Sequence, residues 1–499
     1  MTNKSYMRII ASRNETATQT QNQEGRRGPM NAEEKVRSMG TKKMLPMILG
    51  MSVPAVCGNI VNALYNIVDR IFVGQIVGRD ALGAVGLVFP LNNITAALTI
   101  MMSIGGGALL SLNLGRREYE KVNRIFSSIV TMACTIGIFI SAGFFFFTEP
   151  LIRLCGADET SSMFPMAVSY LKITAVGQFF NILNLALAAS IRAEGNTKYA
   201  MIVTMTGAVI NTFLDGALML LFHMGVEGAA LATVASQIIS CGLSVWYFKA
   251  RKGVVRWLGF NATEKAFIGK VIALGMAPAV FQGLSFVNNI LTNRSLMYYG
   301  NLELGTEGGS LAISAVSVIH TVENLAIMFI MGMNNAISTI ISYNYGQKRY
   351  DRARQATLTG QAVAFAVSAL LWVGMMFFPQ TLFAVFSSSD TELMEYGARA
   401  MRLGKIFIFG LGFQTLASMF YSSIGKPKRA IFISISRNGL FLIPSLLILP
   451  KFFGINGVLM STSVSDGCSL VLVIILYIIG IRDLDRLEKT EQAADLKTA

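Results

Sequence analysis

The sequence predicts an all-α integral membrane protein of twelve transmembrane helices, arranged as two six-helix bundles related by a parallel repeat. Three observations support this fold class: the composition, twelve apolar stretches and an internal repeat. Of 499 residues, 53% are hydrophobic and only 14% are charged, whereas soluble globular chains carry about 25% charged residues. Charge this scarce could not cover a water-facing surface of this length, which argues against a soluble enzyme.

Twelve apolar stretches run along the chain, and each is long enough to cross the hydrocarbon core of a bilayer, which takes about 20 residues. Charged or Gly/Pro-bearing segments separate them. Some stretches are longer than a span requires, so tilted or kinked helices are expected. The predicted limits are 44–73, 81–111, 125–148, 164–190, 199–222, 226–249, 267–292, 310–342, 355–378, 394–422, 429–450 and 454–480.

Basic residues alternate between successive loops. The even-numbered connections hold the positive charges, such as Arg116 and Arg117 early in the chain and Lys426 and Lys428 late in it, whereas the odd-numbered connections are nearly bare or acidic. Because cytoplasmic loops collect Lys and Arg, this pattern predicts that both termini are cytoplasmic. It also accounts for the net charge of +14, so we expect no nucleic-acid partner.

The charge boundaries divide the chain into two bundles, a connector and two tails. No apolar core precedes a cleavage site near the N-terminus, so the first span is expected to act as an uncleaved insertion signal. The first 30 residues have the composition of a disordered tail. The predicted segments are 1–43 for the polar cytoplasmic tail, 44–250 for the first bundle, 251–266 for the basic cytoplasmic connector, 267–480 for the second bundle and 481–499 for the second tail.

The residues that usually carry catalysis or bind metals form no recognisable set. Five cysteines are scattered without a CxxC pair, and two histidines are too few for a multi-histidine metal site. The three glycines at 105–107 follow no strand and precede no Lys-Ser/Thr pair, so they are not a phosphate loop. We therefore expect neither an enzyme nor a resident cofactor.

An internal repeat with a period of roughly 225–231 residues relates the two bundles. Both halves contain six spans, an even number, so both begin on the same side of the membrane and are parallel repeats. Two such bundles facing one another across a cleft suit transport by alternating access. The matching pairs include Pro54 with Pro278, Ser111 with Ser342, Asn113 with Asn344, Gly115 with Gly346, Gly195 with Gly425 and Thr233 with Thr462.

The two halves differ in the acids inside their spans. Asp69 falls opposite Asn293, and Asp215 falls opposite Ser445, so the first half has carboxylates where the second has neutral residues. An ionisable residue inside a span is costly and marks a functional site by default. The first bundle is therefore the predicted place of ion chemistry.

Oxygen ligands from three spans are expected at one depth in the first bundle. Asn66 and Asp69 share one face of the first span, Asn211 and Asp215 are one turn apart on the fifth, and Thr233 lies two turns into the sixth. Two carboxylates with amide and hydroxyl oxygens can hold H⁺ or Na⁺. The alternative is structural: Asp69 pairs with its neighbour Arg70, and Asp215 closes a polar knot.

The second half contains Glu323 and Asp466 near mid-membrane. Each could bind a cationic substrate or be paired with Arg437 or Arg294. Lys405 is expected near a span end, with its ammonium group reaching the interface. Abundant Met and Phe suit a pocket for varied apolar ligands. The candidate substrate residues are Glu323, Tyr65 and Asn293.

Several motifs resemble those of the multidrug and toxic compound extrusion (MATE) transporters. Segment 62–74 reads NALYNIVDRIFVG and is followed by ALGAVG at 81–86; this pair is similar to the first-span signature of that family. Segments 192–196, 225–230 and 343–346 are similar to further family motifs. The resemblance covers about 44–480 and is closest to the branch of bacterial multidrug exporters and DNA-damage-inducible proteins.

The resemblance implies a V-shaped pair of six-helix bundles that exports drugs in exchange for inward H⁺ or Na⁺. It assigns the coupling cation to Asp69, Asn211, Asp215 and Thr233. Relatives often carry an Asn in the fourth span where this chain has Ala188 and Ala189, and Asn184 is the expected substitute. It further implies a monomer in the bacterial inner membrane whose partners are small drugs or toxic organic cations.

Other functions remain open on the sequence alone. A flippase of lipid-linked precursors, or an exporter of one specific metabolite, shares the larger superfamily, although a flippase calls for a strongly basic cleft. A membrane-embedded enzyme would need a clustered catalytic set. A channel would have less use for two facing bundles. Drug-export and lipid-transport assays separate the first of these from a multidrug exporter.

Overall fold

The computed structural model describes residues 32–77, 79–155, 163–305, 308–386 and 391–498. Within these ranges all regular secondary structure is helical, which confirms the predicted all-α class. The predicted disordered segment 1–30 lies outside the described residues.

The first half of the chain begins with a short helix and continues with long apolar ones. The long helices α2 and α7 each end in a π-helical turn, Val73–Val77 and Ala217–Leu221 respectively. The helices are α1 (Ala32–Thr41), α2 (Met44–Phe72), α3 (Arg79–Gly115), α4 (Tyr119–Phe146), α5 (Thr148–Leu154), α6 (Met163–Ala193), α7 (Thr197–Gly216) and α8 (Gly225–Lys249).

The second half repeats the pattern of long helices with more interruptions. A π-helical segment, Ser436–Phe441, separates its last two helices. The helices are α9 (Lys265–Leu304), α10 (Gly308–Gly346), α11 (Tyr350–Phe377), α12 (Pro379–Phe386), α13 (Thr391–Gly404), α14 (Leu411–Ser423), α15 (Pro427–Ile435) and α16 (Leu442–Thr498).

The long apolar helices of the described residues provide twelve spans. Ten helices are long and apolar enough to cross a membrane, and the pair Thr391–Gly404 and Ile408–Ser423, bent by 55°, is the eleventh. The segment Pro427–Ala493 has 67 residues, about 100 Å of helix at 1.5 Å per residue, against a core of about 30 Å. It breaks at Gly454, where φ is 54° and ψ is −135°, and so supplies two spans.

The helix α1 was not predicted, because its residues belong to the polar tail 1–43. It has a polar face but buries Val36 and Met39, which are 3% and 1% exposed. Asn344 of α10 donates a hydrogen bond to the carbonyl of Met39, and Arg349 donates one to Gly40. Two apolar side chains and these bonds hold α1 against the end of α10.

Among the described residues, the largest hydrophobic core is shared by the two bundles, and the next two clusters belong to one bundle each. The shared core includes Leu110 and Leu114 of α3 together with Ile340 of α10. At the other end of the molecule, Leu91 packs within the first bundle and Ile319 within the second. The bundles are therefore joined at one end and separate at the other, as expected for a V with its cleft open on one side.

Glycines permit the close contact at the joined end. A Cβ on Gly115 would overlap the carbonyl oxygen of Tyr343, and one on Gly346 would overlap that of Leu112. The same holds deeper in the interface for Gly275, which packs on the carbonyl of Met101. The backbones of α3, α9 and α10 meet directly because no side chains keep them apart.

Both described chain ends lie at this joined end, which carries the basic loops and is called the basic face below. Lys348, in the loop after α10, bonds Glu491 at 2.7 Å, and Lys426 bonds Asp483 at 2.8 Å. These contacts place the C-terminal segment beside α1, on one side of the molecule. They agree with the prediction that both termini share a side.

The connector 251–266 packs against the first bundle. The backbone N–H of Val255 donates to Glu194 at 2.6 Å, and that of Arg256 donates to Asn123 at 2.8 Å. The N–H groups of Leu258 and Glu264 donate to serine hydroxyls of α4. Four backbone donors without helical partners are satisfied in this way.

Candidate functional site

A buried carboxyl group on α7 forms the centre of the candidate site. Asp215 is 0% exposed, and neither of its carboxyl oxygens receives a hydrogen bond from the amide, amine or hydroxyl groups of the described residues. The Asp69 carboxyl, from α2, lies close enough to interact with it by charge and by hydrogen bond. Two carboxyls in contact inside a bundle favour a cation between them, because two bare negative charges repel at this distance.

Asn211 and Thr233 complete the arrangement from α7 and α8. Asn211 is 1% exposed and precedes Asp215 by one helical turn, so both side chains share a face. Its amide nitrogen lies 3.5 Å from the hydroxyl oxygen of Thr233, and its Oδ1 atom is buried with no hydrogen-bond partner among the described groups. The predicted oxygens of three spans therefore meet.

The arrangement suits a hard cation or a proton. Its polar atoms are carboxylate, amide and hydroxyl oxygens, the ligands that such cations prefer. The three carbonyl and carboxyl oxygens of the Asn211 and Asp215 side chains are buried acceptors without a described donor. A polar group left in this state costs free energy unless a ligand satisfies it. The side chain of Asn66, also predicted here, lies outside what the structure describes.

The structure does not bring Asn184 to this site. Its Oδ1 atom accepts a hydrogen bond from Ser244 at 2.7 Å. Ser244 follows Thr233 by eleven residues on α8, which is about 16 Å along the helix. Asn184 therefore joins α6 to α8 nearer the basic face and is not the fourth-span ligand that we expected.

Two glutamines of the first bundle were missed in the sequence analysis. Gln237 lies one turn after Thr233 on α8, and its Oε1 atom is buried without a described donor. Gln178 of α6 donates to Asn92 of α3 at 3.1 Å, while its own Oε1 atom is likewise unsatisfied. The sequence feature that could have identified them is a polar amide side chain inside a transmembrane span, where such residues are rare.

Tyr65 lines a cavity of about 710 Å³ between α2 and α7. The other walls are aliphatic or aromatic, apart from Thr212, and include Leu64 and Phe213. Its volume lies within the range of about 300–1,000 Å³ typical of small-molecule pockets. Asn293, the other uncharged substrate candidate, is exposed on α9.

The acids of the second bundle are paired with bases. Lys405 bonds Glu323 at 2.5 Å, and Arg437 bonds Asp466 at 2.6 Å. Arg437 also lies 3.6 Å from Glu323, and His320 lies 3.5 Å from it. The pairing of Asp466 with Arg437 was one of the two expected outcomes. The expectation for Lys405 was wrong: it is 4% exposed, because Glu323 neutralises its charge inside the bundle.

The model of the MatE family matches this chain twice, over residues 54–216 and 285–448. Together the two matches cover more than half of the sequence. The chain belongs to the MATE family. The matches begin 231 residues apart, by subtraction of 54 from 285, which agrees with the internal repeat, and the first contains Asp69, Asn211 and Asp215.

Curated relatives of this MATE protein are named as multidrug exporters. It is 24% identical over 451 residues to the multidrug export protein MepA of Staphylococcus saprophyticus, with 89% of this chain and 95% of the relative covered. It is 25% identical over 442 residues to the MepA protein of Staphylococcus haemolyticus, with 86% and 92% covered.

Solved structures of transporters share the fold of this MATE protein. One is described as the outward-facing conformation of a multidrug resistance MATE family transporter of the MOP superfamily; it has 20% identity and a TM-score of 0.82 and covers 92% of this chain and 100% of that one. A MOP superfamily transporter from Pyrococcus furiosus matches with the same identity, coverage and TM-score. The MATE protein is therefore a multi-pass membrane protein with the twelve-helix fold of these transporters.

Proposed function

We propose that this MATE protein is a secondary active multidrug exporter. It couples inward movement of H⁺ or Na⁺ to the efflux of amphipathic, often cationic, organic compounds by alternating access. The observation that carries the proposal is the Asp215 carboxyl, which is fully buried beside Asp69 and receives no hydrogen bond from a described amide, amine or hydroxyl group.

The difference between the bundles supports a coupling role for the first one. In the second bundle, Glu323 and Asp466 face Lys405 and Arg437, so the charges cancel within the protein. No basic side chain among the described residues neutralises Asp215 in this way. Because no described base neutralises Asp215, this carboxyl can exchange its neutralising cation with the solution during each cycle.

Exchange of the cation for the drug across the membrane follows from the thermodynamic linkage of these two ligands. If the cation stabilises one facing state and the drug stabilises the other, each lowers the affinity for its counterpart by the same factor. A cation entering from outside would alter the hydrogen bonds between α2 and α7 and shift the populations of the two states. The energy released as the cation moves inward down its gradient then drives the drug outward.

The nature of the substrate is supported by the lining of the cavity and by the names of the relatives. The cavity beside Tyr65 has few polar groups, and such surfaces accept ligands of varied shape. Proteins named multidrug exporters cover most of this chain. We place the protein as a monomer in the bacterial inner membrane, with its basic face in the cytoplasm in accordance with the positive-inside rule.

The test is efflux of a panel of cationic dyes from proteoliposomes with separately imposed pH and Na⁺ gradients. We expect efflux driven by at least one gradient, and loss of gradient-driven efflux in Asp215→Asn. Glu227→Gln is the matched control, because Glu227 is an exposed carboxyl on the neighbouring helix α8. Gradient-driven efflux that survives in Asp215→Asn would exclude this coupling mechanism, and absence of dye transport in the unmodified protein would exclude multidrug export.

A further inference from the structure

A second cavity, of about 880 Å³, opens on the basic face where the two bundles meet. Its walls come from α1, from the turn after α3 and from the end of α10 with the loop that follows. Five basic residues and one carboxylate line it. The basic residues are Arg37, Arg116, Arg117, Lys348 and Arg349, and this cavity is called the basic pocket.

The charges of the basic pocket are only partly balanced. Its one carboxylate, Glu118, is bonded to Lys121 at 3.1 Å, and Lys348 is bonded to Glu491 at 2.7 Å. Arg349 donates from its side chain to the carbonyl of Gly40. The side chains of the other three basic wall residues, Arg37, Arg116 and Arg117, form no ion pair with a described carboxylate and no hydrogen bond to a described carbonyl. Their positive charges therefore accumulate around one cavity.

A hydroxyl group inside the pocket can add a neutral donor. Tyr343 is 2% exposed, and its oxygen accepts a hydrogen bond from the side-chain amide of Gln347 at 2.9 Å. The phenolic proton is thus left for another acceptor. Arg37, Arg117 and Arg349 all lie close enough to act on this hydroxyl by charge, so guanidinium groups from three segments converge on it.

The backbone at the rim holds cations in an unusual position. The helices α3 and α10 both end with hydrogen bonds of the Schellman type, from Glu118 to Asn113 and from Arg349 to Asn344. The residue with left-handed backbone is Arg117 in one turn and Lys348 in the other, each with φ of 59°. Glycine is usual there because a side chain costs about 1 kcal/mol or more. A helix C-terminus favours cations, yet it does not require the converging set seen here.

We propose that the basic pocket binds an anion that carries phosphate groups. Arginine is suited to this ligand because its planar fork makes paired charge-assisted hydrogen bonds with phosphate oxygens. The volume accommodates a molecule larger than a single phosphate ion. The phosphate belongs either to a soluble compound or to the headgroup of an anionic lipid.

Such a ligand would join the first bundle, the second bundle and α1 across one cavity. These are the parts that close contacts hold together at the basic face, and they must separate for a cleft to open on that side. The bound anion would therefore favour the state in which the basic face is closed. This regulatory consequence, unlike the binding itself, rests on the proposed function.

The test measures pyrophosphate binding to the purified full chain in detergent by titration calorimetry. The variant Arg116→Gln/Arg117→Gln should bind at least about tenfold more weakly, the loss expected for charged hydrogen bonds. The control Arg256→Gln/Lys428→Gln removes two exposed charges from the same face outside the pocket and should stay within about twofold. Arg37→Gln, which leaves both loops intact, should also weaken binding.

A second arm distinguishes the two sources of phosphate. The same variants are placed in nanodiscs with and without phosphatidylglycerol, and hydrogen exchange is followed at 32–41 and 343–350. Slower exchange that depends on this lipid and on Arg116 and Arg117, without a heat from pyrophosphate, assigns the site to a lipid headgroup. The proposal is overturned if pyrophosphate binding weakens equally in the pocket variants and the control variant, or if the protein responds neither to pyrophosphate nor to phosphatidylglycerol. Neither arm requires drug export, so its outcome is independent of the proposed function.

Discussion

The ammonium group of Lys405 lies 2.5 Å from the carboxylate of Glu323, inside the second bundle. Both side chains are almost fully buried, at 5% and 8% exposure. A buried charge is tolerated where a partner compensates for lost hydration. Asp215 differs in that the described residue acting on it is the acid Asp69, and our proposal assigns cation exchange to Asp215 rather than to this internal ion pair.

Removing one partner of this ion pair should destabilise the protein. In Lys405→Met the described partners left to the carboxylate of Glu323 are Arg437 and His320, at 3.6 and 3.5 Å. Loss of one partner of a buried pair typically costs about 3–5 kcal/mol. We expect a fall of several degrees in the unfolding temperature of the purified protein, measured by intrinsic fluorescence in one detergent.

The double variant Lys405→Met/Glu323→Gln provides the control. It removes both charges, so most of the lost stability should return even though two side chains have changed. If Glu323 instead serves as a substrate carboxylate, Glu323→Gln alone would reduce drug affinity while Lys405→Met left the unfolding temperature unaltered. That pattern would contradict the structural role.

The sequence was sufficient to predict that oxygens of Asp69, Asn211, Asp215 and Thr233 lie together in the first bundle, because the relevant information is local. Asn211 and Asp215 are one turn apart, so their common face follows from helix geometry. The depth of Asp69 and Thr233 follows from the direction and limits of their spans. Apolar spans and loop charges likewise determine the number of helices without any knowledge of side-chain contacts.

What depends on contacts between distant helices could not be predicted in the same way. Asn184 has the right residue type and a similar position, yet it bonds Ser244 because of the rotation of α6 against α8. Lys405 was placed at a span end from its sequence position, whereas the bend between α13 and α14 carries it into the bundle. The helix α1 depends on burial against α10, and its short polar sequence has no strong signal of its own.

Glu194 should make stability depend on pH. It lies in the turn beyond α6, is 2% exposed, and accepts hydrogen bonds from Tyr247 at 2.8 Å and from the N–H of Val255 at 2.6 Å. Burial raises the pKa of Glu194 to about 7, against the opposing effect of these hydrogen bonds. The folded protein therefore holds this proton at a pH where the unfolded chain, with a pKa near 4.5, has lost it.

The direction of this pH dependence follows from proton linkage. The stabilising contribution is complete below about pH 4.5, falls as the pH rises and is lost above about 7, a change of about 3 kcal/mol at most. Glu194→Gln should remove this part of the pH dependence of the unfolding temperature, whereas Glu33→Gln, on the exposed side of α1, should preserve it. Parallel profiles for the unmodified protein and Glu194→Gln would refute the assignment.

The close contact between α3 and α9 should not tolerate a methyl group. In Gly275→Ala the new Cβ would overlap the carbonyl oxygen of Met101, an atom of the facing backbone that cannot move alone. Forcing the helices apart should cost about 1–3 kcal/mol, seen as a lower unfolding temperature. Gly283→Ala, on the same helix, meets nothing within 4 Å and should be neutral or slightly stabilising, because alanine favours helix by about 1 kcal/mol. Since both changes add the same methyl group to α9, equal unfolding temperatures would mean that the bundles do not touch at Gly275.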